Sequence, residues 1–182
     1  EEAFKYAQMA LDIFQGLDEE VEMGEIELSL GKLYEDFEEF EEALVHYKKA
    51  QSIYGKNPKM LSEVYLHLAT CYAHLQRREA AYEVLQHLDR LIIEEDFLGN
   101  IKLYRVKSKV EALFMNTRGA VNNLILALNT AREKKLKKEE SEIMLLMAKF
   151  YLEKGKTVDS FKLLEKSMAM MKEGEGDATW RS

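Results

Sequence analysis

With 182 residues, 47% of them hydrophobic, 32% charged and only one proline, the chain can bury a substantial core but lacks the turn residues of a strand-rich fold, so an all-α protein is expected. The net charge of −7 is unevenly divided: residues 1–42 hold 15 acidic side chains against Lys5 and Lys32, a net of −13, and the other 140 residues hold 24 basic and 18 acidic ones, a net of +6. Such asymmetry either steers a charged partner, favours head-to-tail self-association of copies, or is a solvated acidic helix face. A single cysteine, Cys71, excludes an internal disulfide, and the longest apolar run, Ile143–Ala148, is far shorter than the roughly 20 residues of a membrane span, so a soluble, cytoplasmic protein is expected.

The chain opens on Glu1-Glu2-Ala3 already in helical pattern, without an initiator Met or a capping Ser, Thr, Asp or Asn, which reads as a piece cut from something longer. Apolar periodicity predicts a lone helix over about Glu2–Gln15. Helix pairs follow at Glu20–Phe37 with Glu41–Tyr54, Lys59–Leu75 with Glu79–Glu94, Leu98–Met115 with Gly119–Lys135, and Glu139–Glu153 with Thr157–Lys172. The breaks carry turn chemistry: Gly55-Lys56-Asn57-Pro58, Gly99-Asn100 and Gly155. Small residues recur at matching places in the lone helix and in each second helix: Ala3, Ala43, Ala81, Ala120 and Ser160, with spacings of 40, 38, 39 and 40. That period implies stacked units, none able to bury its apolar stripe alone.

Within Glu27–Ala50, the residues Leu30, Gly31, Tyr34, Phe40, Ala43, Tyr47 and Ala50 fall where two antiparallel helices press small residues against large ones. This resembles the tetratricopeptide repeat (TPR), whose first helix reads large-small-x-x-aromatic and whose second reads small-x-x-x-aromatic-x-x-small. The second repeat has Leu68, Ala69, Tyr72, Ala81 and Leu85 in place, with Leu88 at the last small site; the fourth has Met147, Ala148, Tyr151, Gly155, Ser160, Leu164 and Ser167. The third departs, with Lys107 and Glu111 where a large apolar residue and an aromatic are expected, although Ser108, Ala120, Leu124 and Ala127 agree. Flanking inward positions repeat as Ile26, Val64, Leu103 and Ile143, and two turns later as Leu33, Cys71, Val110 and Phe150.

The resemblance implies a right-handed α-solenoid of antiparallel helix pairs over residues 1–173: half a repeat at 1–16, then repeats at about 18–56, 57–96, 97–136 and 137–173. Units this long resemble those of kinesin light chains, the polarity adaptors of the spindle and bacterial peptide-sensing regulators. Residues 174–182 read as a flexible tail. Trp180 in it is either part of a linker or an anchor that docks on a groove of this or another copy.

Chemistry-bearing clusters are few. His67, Cys71 and His74 lie at i, i+4 and i+7 on one helix and could supply zinc ligands or a Cys-His pair. Cys71, however, falls at the inward site that Leu33, Val110 and Phe150 occupy elsewhere, where a free Cys behaves as a small hydrophobe. His46 and His87 have no comparable neighbours, and Gly174 and Gly176 follow no strand and open no helix, so no phosphate loop is present. Neither catalysis nor a cofactor is expected. Arg132–Lys138 and the cluster Lys102, Arg105, Lys107 and Lys109 are basic, yet the acidic balance and the lack of an aromatic-basic platform argue against direct nucleic-acid binding.

The remaining candidate is the concave groove that the resemblance implies. It nominates Leu28, Leu66, Arg105 and Leu145, then Lys32, Thr70, Lys109 and Lys149, as partner-binding residues: an apolar strip beside a row of lysines. Such a lining suits an acidic peptide or partner helix with apolar anchors. Lys32 and Thr70 stand where the family's clamp for a C-terminal carboxylate needs Asn. The expected function is a protein-protein interaction scaffold or adaptor; the alternative is the peptide-sensing domain of a bacterial quorum-sensing regulator.

Overall fold

The computed structural model describes residues 2–17, 20–55, 57–92 and 95–178, without the side chains of residues 3, 4, 8, 15–17 and 172–178. Nine helices are found among them: α1 (Glu2–Leu17), α2 (Glu20–Asp36), α3 (Phe40–Ile53), α4 (Pro58–His74), α5 (Arg78–Leu91), α6 (Phe97–Leu113), α7 (Thr117–Glu133), α8 (Lys137–Glu153) and α9 (Thr157–Ala178). The described residues contain no strand and no helix long and apolar enough to cross a membrane. The predicted helix bounds agree to within three residues except at the last. There α9 runs on to Ala178, through most of the stretch expected to be tail, since a helical glycine costs only about 1 kcal/mol and does not forbid the helix. Trp180 lies outside the described residues, and so does the side chain of Ala3.

The chain divides into two compact units, residues 1–92 and 93–182. In the first, α2 packs on α3 and α4 on α5, with α3 against α4 and α1 against α2. Its core gathers Leu28, Ala43, Leu44, Tyr47, Ala50, Val64, Leu68 and Cys71. In the second, α6 pairs with α7 and α8 with α9, while α7 meets α8; the core holds Ile101, Leu124, Ala127, Leu128, Ala131, Ile143, Met144 and Met147.

Small residues set how closely each pair approaches. Ala43, Ala81 and Ala120 have no exposed surface, and Ser160, nearly as buried, satisfies its hydroxyl by donating to the Ala148 carbonyl at 2.7 Å. Ser141 and Ser167 do the same for each other, with their hydroxyls 2.9 Å apart. Opposite these, Gly31 of α2 lies under the fully buried ring of Tyr47, and a Cβ added there would run into it. At the corresponding places of the other pairs stand Ala69 and Leu85, Ser108 and Leu124, and Ala148 and Leu164.

Four turns that join the helices of a pair are closed in one way. At each, a residue of positive φ follows the helix: Glu38 (61°), Gln76 (57°), Met115 (62°) and Gly155 (74°). The next amide then donates back to a carbonyl five residues earlier: Glu39 to Tyr34 at 2.9 Å, and Arg77 to Tyr72, Asn116 to Glu111 and Lys156 to Tyr151, each at 2.8 Å. This is the Schellman closure, which recovers orphan carbonyls at a helix end. The closure also occurs at Lys135 (55°), between α7 and α8, where Leu136 donates to Ala131 at 2.8 Å; in the third pair Ala120 is fully buried, despite Lys107 and Glu111. Glu111, standing where Tyr34, Tyr72 and Tyr151 stand in the other pairs, accepts from the Asn116 amide at 2.7 Å, and Asn116 caps α7 by accepting from the Gly119 N–H at 3.0 Å.

Candidate functional site

The nominated groove residues divide between the units, and the units treat them differently. In the first unit Leu28 is only 8% exposed and belongs to the core. Thr70 is 4% exposed, with its hydroxyl donated to the Leu66 carbonyl at 3.1 Å. Neither offers a surface to a partner. Leu66 is half-buried. Lys32 does present its ammonium, but to Glu63 of α4 at 2.6 Å.

Further charges in this unit are met internally. Glu27 is buried and sits 2.6 Å from His46 Nδ1 and 3.3 Å from Lys49 Nζ, with the His46 ring stacked on Tyr34. Glu35 accepts from the Tyr47 hydroxyl at 2.7 Å and lies 2.8 Å from His67 Nδ1. Burial first, and the Glu35 charge second, push the Tyr47 phenol far above its ordinary range. Tyr54, whose ring covers Gly24, is pushed up to about 12 by burial and then by Glu25 and Glu63. His67 and His74 serve different rings, Tyr47 and Phe40 at 5.1 and 4.2 Å between centroids, while Cys71 is fully buried. Among the described residues no group of three His, Cys, Asp or Glu side chains could hold a metal ion.

In the second unit the nominated cations converge. Arg105 and Lys109, one turn apart on α6, and Lys149 on α8 line one cavity of about 460 Å³, large enough for a small ligand or a few side chains. Val106, Ala112, Leu124, Leu146 and Phe150 supply its apolar surface, and Glu153 is its one carboxylate. Arg105 is partly engaged, with Nη1 3.1 Å from Glu142; Lys109 and Lys149 are exposed. Leu145 is 45% exposed but does not line the cavity, whereas its neighbour Leu146 does. One residue is 100° of helix, enough to turn a side chain from a wall to the rim. Phe150 belongs to the inward row already visible in the sequence; Leu146 carried no such signal.

No protein-family model matches the chain, and no curated protein matches it.

Proposed function

We propose that this chain is a protein-interaction scaffold, a right-handed α-solenoid of the tetratricopeptide type, that holds an acidic peptide or partner helix in its second unit. The observation that supports this is the single cavity that Arg105, Lys109 and Lys149 share with an apolar wall. Carboxylates of the partner meet the cations, and an apolar anchor enters beside Leu146 and Phe150. Exposed charges set the encounter rate and are screened beyond about 8 Å at physiological ionic strength, whereas apolar burial sets residence time. Leu28 and Thr70 are buried in the first unit and have no part in this binding surface, and Lys32 lies in the first unit, outside this cavity.

An affinity pull-down with partner identification, followed by binding curves for acidic peptides derived from those partners, tests the reading. Lys109→Glu with Lys149→Glu should abolish capture and leave the melting temperature near the parent value. Leu146→Ala should raise the off-rate. Lys32→Glu should leave capture intact, and an unchanged partner list after reversal at Lys109 and Lys149 overturns the proposal.

A further inference from the structure

A second cavity, of about 200 Å³, lies in the first unit among α3, α4 and α5. Its wall carries the rings of Tyr65, Tyr72 and His87, the carboxylate of Glu83 and the amide of Gln51; no lysine or arginine lines it. The Tyr65 and His87 rings stand nearly at right angles, 73° apart with centroids separated by 6.0 Å, so they form two sides of a corner. Gln51 donates its amide N–H to the Tyr65 hydroxyl at 3.1 Å, which fixes that ring. The Lys48 ammonium stands 5.9 Å from the Tyr72 centroid, a resident cation that an incoming one must displace. The surrounding unit is strongly acidic, with 9 basic against 19 acidic residues over positions 1–92.

We propose that this corner of aromatic faces binds a quaternary ammonium head group, with Glu83 supplying the counter-charge. Ring quadrupoles attract cations over their faces, and attraction grows when water is excluded. A methylated ammonium suits this wall better than a primary one, because it has no N–H to satisfy and gives up less hydration on entry. The volume is below that of sites for drug-sized ligands, so the head group enters and the remainder of the ligand stays outside. Two sources share this chemistry: free choline, and a trimethyllysine side chain in a peptide.

Proton NMR titrations of the 182-residue chain test the proposal with four probes: choline, its neutral carbon isostere 3,3-dimethylbutan-1-ol, a peptide carrying trimethyllysine, and the same peptide with unmodified lysine. The choline N-methyl resonance should move upfield and saturate, since the methyls sit over ring faces. The neutral isostere should bind at least roughly tenfold more weakly, and Tyr72→Leu and Glu83→Gln should each weaken choline roughly threefold to tenfold. Glu83 is exposed, so that variant keeps the fold even where Tyr72→Leu does not. A trimethyllysine peptide that binds more tightly than both choline and the unmodified peptide identifies a protein ligand; choline equal to or tighter than the peptide identifies a small molecule. Equal binding of choline and the isostere, or no saturable shift with any of the four probes, overturns the proposal.

Discussion

The two units are built from the same helix pairs and both hold internal ion pairs, Arg105 with Glu142 and Arg132 with Glu140 in the second, but they differ in charge balance and in where their lysines stand. The first, with a net charge of −10 over residues 1–92, closes its charges on itself: His46 and Lys49 on buried Glu27, Tyr47 and His67 on Glu35, Lys32 on Glu63. The second, with 17 basic and 14 acidic residues, a net of +3, turns Lys109 and Lys149 outward around an apolar cavity. A repeated backbone therefore specifies where side chains point, while local partners decide whether a given position is structural or available. Lys32 and Lys109 share a place in the repeat; Lys32 meets Glu63 of the next first helix, while Lys109 lines the cavity of the second unit.

The largest expected effect tests the shared part of that comparison. Ala43→Glu in the first unit and Ala120→Glu in the second each place a charge at a fully buried contact between paired helices, and each should cost roughly 3 kcal/mol or more. Urea denaturation followed by circular dichroism measures both. Parent-like unfolding of either variant would show that its helix pair does not close as described.

The next test separates the units. A Cβ on Gly31 would run into the fully buried Tyr47 ring, so Gly31→Ala should destabilise by about 1–3 kcal/mol through overpacking. Tyr47→Leu gives the first unit the residue found at this place in the other pairs and should relieve part of that strain. The double variant should be more stable than the sum of the singles predicts, with a coupling of about 0.5–3 kcal/mol. Strict additivity would mean that ring and glycine do not constrain one another.

Much of this is legible in the sequence. Helix positions, the pairing and the buried small residues follow from periodicity, because each repeat restates the same constraint and errors in one are corrected by the others. The third pair was hardest to place from sequence, since Glu111 replaced an aromatic; its carboxylate tethers the capping residue Asn116 instead of packing. The candidate site was only half legible. Places in the repeat nominate Arg105, Lys109 and Lys149, which line one cavity, but the choice between Leu145 and Leu146 turns on 100° of helix rotation. The ion pair that removes Lys32 joins residues far apart in sequence, and no local pattern announces it.

The alkaline limb of stability is a smaller effect near neutral pH and grows beyond it. Tyr47 has its phenol pushed up from an ordinary value of 10.0, so the folded form holds its proton where the unfolded form releases it. The stabilisation is complete below pH 10 and is lost as pH rises above that value, by up to about 1.4 kcal/mol per pH unit for one such group. Tyr47→Phe should be less stable than the parent at pH 8, having lost the Glu35 hydrogen bond, yet decline less steeply between pH 10 and pH 11 in urea titrations. Parallel slopes would mean that Tyr47 ionises alike in both states.

The smallest expected effect concerns the four equivalent turns, of which only one uses glycine. Glu38 and Gln76 in the first unit and Met115 in the second hold positive φ with a side chain attached, at a cost on the order of 1–2 kcal/mol each. Glycine removes that cost but adds freedom to the unfolded chain, worth about 0.4–1 kcal/mol against it. A net gain of roughly 0.5 kcal/mol is therefore expected for Met115→Gly, the cleanest case because Met115 is 78% exposed and little packing is lost. Gln76→Gly should gain less, since its amide also donates to the Ala73 carbonyl at 3.3 Å. Gly155→Ala should move the other way by about 1 kcal/mol, although no neighbour within 4 Å would touch the new methyl. Thermal melts resolve these shifts as about 1–2 °C in Tm for 0.5 kcal/mol and about 2–4 °C for 1 kcal/mol, and a neutral Gly155→Ala would locate the turn's cost somewhere other than in its left-handed residue.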